Sequence, residues 1–184
     1  MDDFYRFSDL QHKMVSDYKT LGAVVEGLRL LQNKIVVTIG TWDLLHIGHV
    51  RYLRKAKEKG DILVVGIDTD ETARKYKGDL RPIVPFEERC EMLSYQSCVD
   101  IITPVHDINS RGEWQYALIK AIDPDFFVAV EDSYPKKQIE DIKKYCKQIV
   151  VLPRQAERTS TSRMIQQAVK KHLDKVYELI EKRK

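Results

Sequence analysis

Apolar positions along the chain follow two different spacings. Through residues 1–33 they recur at three- and four-residue steps, the spacing of amphipathic helices, at Leu10, Met14, Leu21, Val24, Val25, Leu28 and Leu31. Ser8 is the predicted N-cap of this pattern. We therefore predict an N-terminal helical extension over residues 1–33, which either packs on the core or forms a dimer contact, and a separate domain over residues 34–184.

From Lys34 onwards, short apolar runs alternate with helical patterns. The apolar, largely β-branched runs predict strands over residues 34–39, 61–67, 99–103, 125–130 and 148–152. The intervening and final stretches predict helices over residues 48–59, 86–95, 114–122, 135–147 and 160–182. Continuously apolar strands separated by helices are typical of a parallel sheet covered on both faces. The predicted fold class is a doubly wound, Rossmann-like α/β fold with a five-stranded parallel sheet.

The composition is that of a globular protein and narrows the function only slightly. The net charge of +3 is too small to indicate a nucleic-acid partner. No apolar run approaches the ~20 residues that span a bilayer, and the polar N-terminus does not resemble a secretory signal. The cysteines form no CxxC pair and indicate reduced, buried thiols at Cys90, Cys98 and Cys146. We expect a cytoplasmic protein that binds neither nucleic acid nor membrane.

The segment between the first predicted strand and the next helix carries the candidate chemistry. It reads Gly40-Thr41-Trp42-Asp43-Leu44-Leu45-His46-Ile47-Gly48-His49. A helix N-terminus binds phosphate through its free N–H groups, and Gly48 lets a ligand approach the backbone. His46 and His49 lie three residues apart and can face one ligand, where they would stabilise charge on a pentavalent phosphate. The segment holds no obvious nucleophile, which fits phosphoryl chemistry based on positioning and charge stabilisation.

Two other interpretations of the histidine pair remain. An HxxH pair is also a metal-binding pattern, but no third ligand follows at a suitable spacing, so we predict no metal site made by the protein. The histidines could also be ordinary surface residues. The placement of the whole ten-residue string between a strand and a helix favours the catalytic interpretation.

This string resembles the GTFDxxHxGH signature of the cytidylyltransferase-like nucleotidyltransferases, with Trp42 in place of phenylalanine. The resemblance extends over residues 34–164. It implies that a phosphorylated acceptor attacks the α-phosphate of a nucleoside triphosphate and that pyrophosphate leaves. It also implies that Mg²⁺ arrives with the triphosphate, and that the nucleotide is contacted by Gly40, Thr41, Trp42, Asp43 and Gly48. For Asp43 two further roles are open, which are to support the Mg²⁺ or only to orient the loop. The string also spells the HIGH motif of class I aminoacyl-tRNA synthetases, but the chain has no KMSKS sequence and no room for an anticodon-binding domain.

Cationic residues follow the second predicted strand. Alone, they are most simply a solvated basic loop. However, the pattern Lys77-Gly78, Arg81-Pro82 and Glu88-Arg89 resembles that of the adenylyltransferase of bacterial ADP-heptose synthesis. The resemblance implies that Lys77 contacts phosphate and that Arg89 holds phosphate or supports the site. Lys75 is the alternative loop lysine.

Two later loops match the family less closely. Val130 and Glu131 replace family glycines before Asp132, which matches the family aspartate near the nucleotide and is alternatively an N-cap of the helix near Pro135. After the fifth strand, a hydroxyl cluster resembles the family's RTxGISTT motif without its x-G-I insert. The resemblance implies phosphate contacts from Arg158, Ser160 and Thr161, although hydroxyls at a helix start are also simple caps.

Three functions therefore remain open. The first is transfer of a nucleoside monophosphate, with AMP as the first choice, to a sugar phosphate. The second is cytidylyl transfer to an alcohol phosphate such as glycerol 3-phosphate, the reaction of another similar enzyme in the family. The third is a nucleotide-binding regulatory domain without turnover. Because the family is commonly dimeric, we also expect a homodimer.

Overall fold

The protein is built around a five-stranded, all-parallel sheet with strand order β3-β2-β1-β4-β5. The computed structural model describes residues 10–182. The strands are β1 (Ile35–Gly40), β2 (Ile62–Asp68), β3 (Ile101–Val105), β4 (Phe126–Val130) and β5 (Gln148–Leu152). Each lies within two residues of its predicted bounds. The predicted doubly wound α/β fold is confirmed.

Helices cover both faces of the sheet. They are α1 (Leu10–Lys13), α2 (Tyr18–Leu30), α3 (Ile47–Lys57), α4 (Asp70–Lys77), α5 (Phe86–Ser94), α6 (Ala117–Ile122), α7 (Lys136–Ile142) and α8 (Thr161–Glu181). Strand residues of alternating orientation join two separate hydrophobic clusters. Val36 packs with α3 and α5, whereas its neighbour Val37 packs with α2 and α6. The sheet is therefore buried on both sides, as its apolar strands predicted.

Helix α4 was not predicted, because its segment was interpreted as a basic loop. Its residues are mostly charged and bury only Thr72 and Ala73, so no apolar period marks it. Its end signals are nevertheless present: the Thr69 hydroxyl accepts a hydrogen bond from the Thr72 N–H at 3.3 Å, and Gly78 follows the last turn. The helix matters for function because it ends at Lys77.

The strand order reverses beside β1. The chain builds β1, β2 and β3 outward in one direction and then crosses to β4 and β5 on the other side of β1. Ligands of doubly wound sheets bind at the carboxyl ends of the strands, where this order switches. The segment after Gly40 leaves β1 at this position.

The N-terminal helices belong to the same core as the sheet. Leu21 and Val25 of α2 are fully buried in the cluster that contains α6. Before α2, the N–H of Val15 donates to the Ile102 carbonyl at 2.9 Å, beside the edge strand β3. The predicted extension is thus two helices packed on the core, and α2 is capped by Asp17. The predicted cap Ser8 lies outside the described residues.

The last helix, α8, is not part of the buried core. None of its residues is buried, and apolar side chains remain exposed along it at Val169, Leu173, Val176, Tyr177, Leu179 and Ile180. No helix within residues 10–182 combines the length and the apolar character needed to cross a membrane.

Candidate active site

A cavity of about 840 Å³ opens at the carboxyl ends of the strands. It is lined by most of the residues predicted from the sequence, namely Gly40, Thr41, Trp42, Asp43, His46, Gly48, His49, Lys77, Ser160 and Thr161. Arg89, Asp132 and Arg158, which were also predicted, do not line it. The fold therefore brings together segments that follow β1, β2 and β5.

The two histidines of the cavity lie at the N-terminus of α3. His46 is the N-cap residue, and its Nδ1 accepts a hydrogen bond from the Gly48 N–H at 3.1 Å. Because Nδ1 is the acceptor, a neutral His46 carries its proton on Nε2. The ring of His49 stacks on that of His46, with 3.9 Å between ring centres and 24° between planes.

Both rings are neutral near pH 7 in the absence of a ligand. Burial, together with the nearby His46 and Lys77, lowers the pKa of His49 to about 3. Burial also lowers the pKa of His46. Each neutral ring can therefore donate a hydrogen bond from its N–H group. These donors would stabilise negative charge that develops on a ligand beside the pair.

Gly48 makes this arrangement possible. A Cβ atom at this position would lie 2.9 Å from Cε1 of His46 and 3.0 Å from the Cβ of Ala156. The first distance is shorter than real Cβ contacts and the second is unusually tight, so any larger residue would displace the His46 ring. The glycine is thus required for the position of the imidazole as well as for close approach of a ligand.

The loop between β1 and α3 has a strained backbone. Trp42 and Leu44 have positive φ angles of 56° and 49°, values that non-glycine residues rarely adopt. The Trp42 indole Nε1 donates to the Gly66 carbonyl at 3.0 Å, and the indole meets the His49 ring edge-on at 5.6 Å between centres. The hydrogen bond therefore holds the Trp42 indole in its contact with the His49 ring.

Asp43, which lies between the two strained residues, fixes the loop. Its buried carboxylate accepts hydrogen bonds from Nε of Arg81 at 2.6 Å and from the N–H groups of Ile83 and Val84 at 3.0 Å each. Burial raises the pKa of Asp43, but these donors outweigh it, so the pKa is lowered and the group stays ionised. The Asp43 carbonyl accepts from Oγ1 of Thr161 at 3.0 Å, which ties the loop to α8.

These contacts bear on how a magnesium ion would bind. The Asp43 carboxylate is engaged by three protein donors, and residues 10–182 contain no cluster of three potential side-chain ligands. Asp43 thus orients the loop in this structure. The donor set fits a metal held by the oxygens of a triphosphate and by water, as Mg²⁺ is commonly held.

Arg89 is buried beneath the site instead of facing it. Its guanidinium donates to the carbonyls of Thr41, Asp68 and Val84 and forms an ion pair of 2.6 Å with Asp70. Only 1% of its side chain is exposed. The expectation that Arg89 holds a phosphate is corrected: it is a positioning residue that joins the loop after β1 to the end of β2.

The structure distinguishes between the two candidate lysines. Lys77 lines the cavity, and burial followed by the charge of Arg81 lowers its pKa. Lys75 instead pairs with Glu71 at 2.8 Å and donates to the Ile108 carbonyl at 3.3 Å. Lys77 is therefore the lysine placed to meet a ligand.

A polar triad beside the cavity, formed by the buried Thr41 and Asp68 with the hydroxyl of Tyr76, was not predicted from the sequence. The hydroxyls of Thr41 and Tyr76 both donate to Oδ2 of Asp68, and the two hydroxyl oxygens lie 2.7 Å apart. Burial raises the pKa of Asp68. The one sequence feature that could have indicated this triad was Asp68, an aspartate at the end of an apolar strand. The triad fixes Tyr76, and through it the end of α4, against the loop after β1.

The β5 side of the cavity differs from the prediction in its arginine. Ser160 caps α8 by accepting from the Arg163 N–H at 3.3 Å, while its neighbour Thr161 contacts the Asp43 carbonyl. Arg154 lines the cavity, whereas Arg158 is exposed outside it. The signal for Arg154 was its position directly after the fifth strand, the place where ligands of parallel sheets are met.

Asp132 neither lines the cavity nor caps a helix. It is exposed and has a φ of 65°. The N-cap residue of α7 is Pro135, and no side chain caps that helix. Both roles considered for Asp132 are thus absent from this structure, and Ser133 and Tyr134 line the cavity in its place.

A sequence model of a family described as cytidylyltransferase-like matches residues 37–178, which include most of β1, all of β2 to β5 and the whole cavity. The chain belongs to the cytidylyltransferase-like family. The predictions of this family and of a nucleotidyltransferase are confirmed.

Two curated relatives are similar to most of this chain. The chain is 36% identical over 143 residues to the bifunctional protein HldE of Helicobacter hepaticus, covering 78% of this chain and 28% of that protein. It is 39% identical over 145 residues to HldE of Helicobacter pylori strain P12, covering 78% and 29% respectively. The chain thus matches less than a third of the length of these relatives.

A solved structure is similar to this chain in both fold and sequence. The chain resembles the lipopolysaccharide core biosynthesis protein of Thermoplasma volcanium with a TM-score of 0.56 and 28% identity. The likeness covers 66% of this chain and 98% of that protein.

Proposed function

We propose that this protein transfers a nucleoside monophosphate, with AMP as the first choice, from a nucleoside triphosphate to a sugar phosphate and releases pyrophosphate. The observation that carries the proposal is the stacked pair of His46 and His49 at the N-terminus of α3. The pair lies in a cavity with Lys77 on one side and the hydroxyls of Ser160 and Thr161 on the other.

The reaction is a displacement at the α-phosphorus. An oxygen of the acceptor's phosphate forms the new bond to the α-phosphorus, and the bond from that atom to the bridging oxygen of the β-phosphate breaks. The leaving pyrophosphate takes the electron pair. The Nε2–H of His46 and an N–H of His49 donate to the non-bridging α-phosphate oxygens, where charge accumulates in the transition state.

Groups on the two sides of the histidines hold the two substrates. On the β5 side, Arg154, the hydroxyls of Ser160 and Thr161 and the N-terminus of α8 bind the β- and γ-phosphates. On the β2 side, Lys77 binds the acceptor's phosphate and neutralises charge between the two reactants. Mg²⁺ enters with the triphosphate as part of that substrate.

The preference for AMP and a sugar phosphate is supported by the relatives. The loop from Lys77 to Arg89 resembles the adenylyltransferase of ADP-heptose synthesis, and HldE proteins are similar over most of this chain. The protein of lipopolysaccharide core biosynthesis is a further neighbour. The pair Arg158-Thr159 before the hydroxyl cluster favours the second candidate, cytidylyl transfer to glycerol 3-phosphate, and that support weakens only in part, because Thr159 lines the cavity whereas Arg158 lies outside it.

The proposal also covers the cellular location and the oligomeric state of the protein. We propose a cytoplasmic homodimer without a nucleic-acid or membrane partner. Light scattering of the purified protein tests the dimer, and a mass equal to one 21.5 kDa chain would contradict it.

The deciding experiment measures pyrophosphate release for ATP, CTP, GTP and UTP, each with a heptose 1-phosphate, glucose 1-phosphate and glycerol 3-phosphate. We expect the fastest release from ATP with a sugar phosphate. Fastest release from CTP with glycerol 3-phosphate would establish the second candidate. Nucleotide binding without release in any combination would contradict transfer and support a regulatory domain.

A further inference from the structure

The cavity has two ends that differ in chemistry. The histidine loop follows the central strand β1, whereas β5 and β3 lie at opposite edges of the sheet. Hydroxyls, a helix N-terminus and Arg154 come from the β5 side and suit a triphosphate. The other end, which would then receive the acceptor, is built from Lys77, Arg81, Tyr76 and Trp114.

Two aromatic side chains form a corner at this acceptor end. The rings of Tyr76 and Trp114 meet with 5.3 Å between centres and 61° between planes, and both line the cavity. The ammonium group of Lys77 lies 5.5 Å from the centre of the Tyr76 ring. Two inclined aromatic rings thus stand directly beside a cation that lines the same cavity.

Contacts within the protein itself hold the corner in place. The Tyr76 hydroxyl donates a hydrogen bond to Asp68. Trp114 forms an antiparallel β-bridge with Ile108, which closes a short turn. The Asn109 side-chain oxygen accepts from the Glu113 N–H at 3.0 Å and closes this turn. Preorganised side chains lose little conformational freedom on binding, so their contacts contribute more fully to affinity.

An aromatic face beside a cation suits a particular kind of acceptor. The face of an aromatic ring is electron-rich, so it attracts the slightly positive C–H bonds on one side of a sugar ring. The phosphate of the same molecule would reach Lys77. An open three-carbon chain such as glycerol offers too few C–H groups in one plane to cover either ring.

We propose that Tyr76 and Trp114 form the surface that selects the acceptor, and that they select a phosphorylated cyclic sugar over a short alcohol phosphate. This inference rests on the proposed nucleotidyl transfer for the position of the triphosphate. It adds two residues and a ring requirement that the motif around His46 and His49 does not contain.

The test is equilibrium binding by titration calorimetry, which needs no turnover. The protein is first saturated with a non-hydrolysable analogue of ATP or, in a parallel sample, of CTP. Each sample is then titrated with a heptose 1-phosphate, glucose 1-phosphate and glycerol 3-phosphate. We expect a cyclic sugar phosphate to bind roughly tenfold more tightly than glycerol 3-phosphate. Trp114→Leu should remove this preference, whereas Trp114→Phe should retain most of it.

Tyr177→Leu is the matched control, since Tyr177 is an exposed aromatic residue on α8 far from the aromatic corner in the chain. It should leave the preference unchanged. Equal binding of cyclic and open acceptors by the wild-type protein, or a preference that survives Trp114→Leu, would overturn the inference. Failure of nucleotidyl transfer would appear separately, as the absence of pyrophosphate release.

Discussion

The Nδ1 atom of His46 accepts a hydrogen bond of 3.1 Å from the backbone N–H of Gly48. This contact orients the ring that His49 stacks upon and leaves the Nε2–H of His46 as the donor available to a ligand. Backbone geometry at the start of α3 therefore determines which imidazole nitrogen of His46 is free to meet a ligand.

Gly48→Ala tests this orientation. The added Cβ would lie 2.9 Å from the His46 ring, so the ring must move, and we expect kcat to fall by at least about tenfold. Gly27→Ala, in α2, has no atom within 4 Å of its new Cβ. It should leave kcat unchanged while raising the free energy of unfolding by roughly 0.5–1 kcal/mol. Equal kcat values for the two variants would refute the role given to Gly48.

Lys77→Met should raise KM for the acceptor, because it removes the cation proposed to bind the acceptor's phosphate. We expect an increase of roughly tenfold in steady-state assays of pyrophosphate release. Lys75→Met is the control, since Lys75 is engaged by Glu71 and the Ile108 carbonyl. If Lys75→Met had the larger effect, the assignment of the loop lysine would be wrong.

Arg154→Met should weaken binding of the triphosphate by roughly tenfold, since Arg154 lines the cavity where the β- and γ-phosphates are proposed to lie. Arg158→Met should change it by less than about twofold, because the side chain is exposed outside the cavity. Calorimetric titration with ATP measures both. The opposite ranking would restore the assignment drawn from the motif.

The local motif around His46 was readable from the sequence, because its contacts join residues that are close in the chain. The strands were predictable because each is continuously apolar. Helix α4 was not, since its charged sequence has no apolar period and its stability depends on end caps and on packing of Ala73.

Long-range contacts account for the remaining differences. The bond from Arg89 to the Thr41 carbonyl joins positions 48 residues apart, and no pattern along the chain specifies it. Likewise, only the folded chain brings Trp114 against Tyr76. The choice of Arg154 over Arg158 depends on the path of the loop between β5 and α8, which the altered motif does not define.

The low pKa of His49 predicts a dependence of stability on pH. Its folded pKa of about 3 is below the usual 6.5, so the unfolded chain binds more protons between these values. This contribution to stability is present above about pH 6.5 and is lost as the pH falls towards about 3. We therefore expect the free energy of unfolding, measured with urea at about pH 7.5 and about pH 5, to fall more for the wild type than for His49→Gln. An identical fall in both proteins would show that the His49 pKa is not lowered.

Transfer of label from ATP marked with radioactive phosphorus at its α-phosphate tests the central claim most directly. Wild-type protein should move the label to the sugar phosphate. His49→Ala should do so at least about a hundredfold more slowly while keeping its circular dichroism spectrum and its affinity for ATP. Failure of the α-label to reach the acceptor, transfer of label from ATP marked at the γ-phosphate in a parallel assay, or transfer at the wild-type rate by His49→Ala would contradict the account.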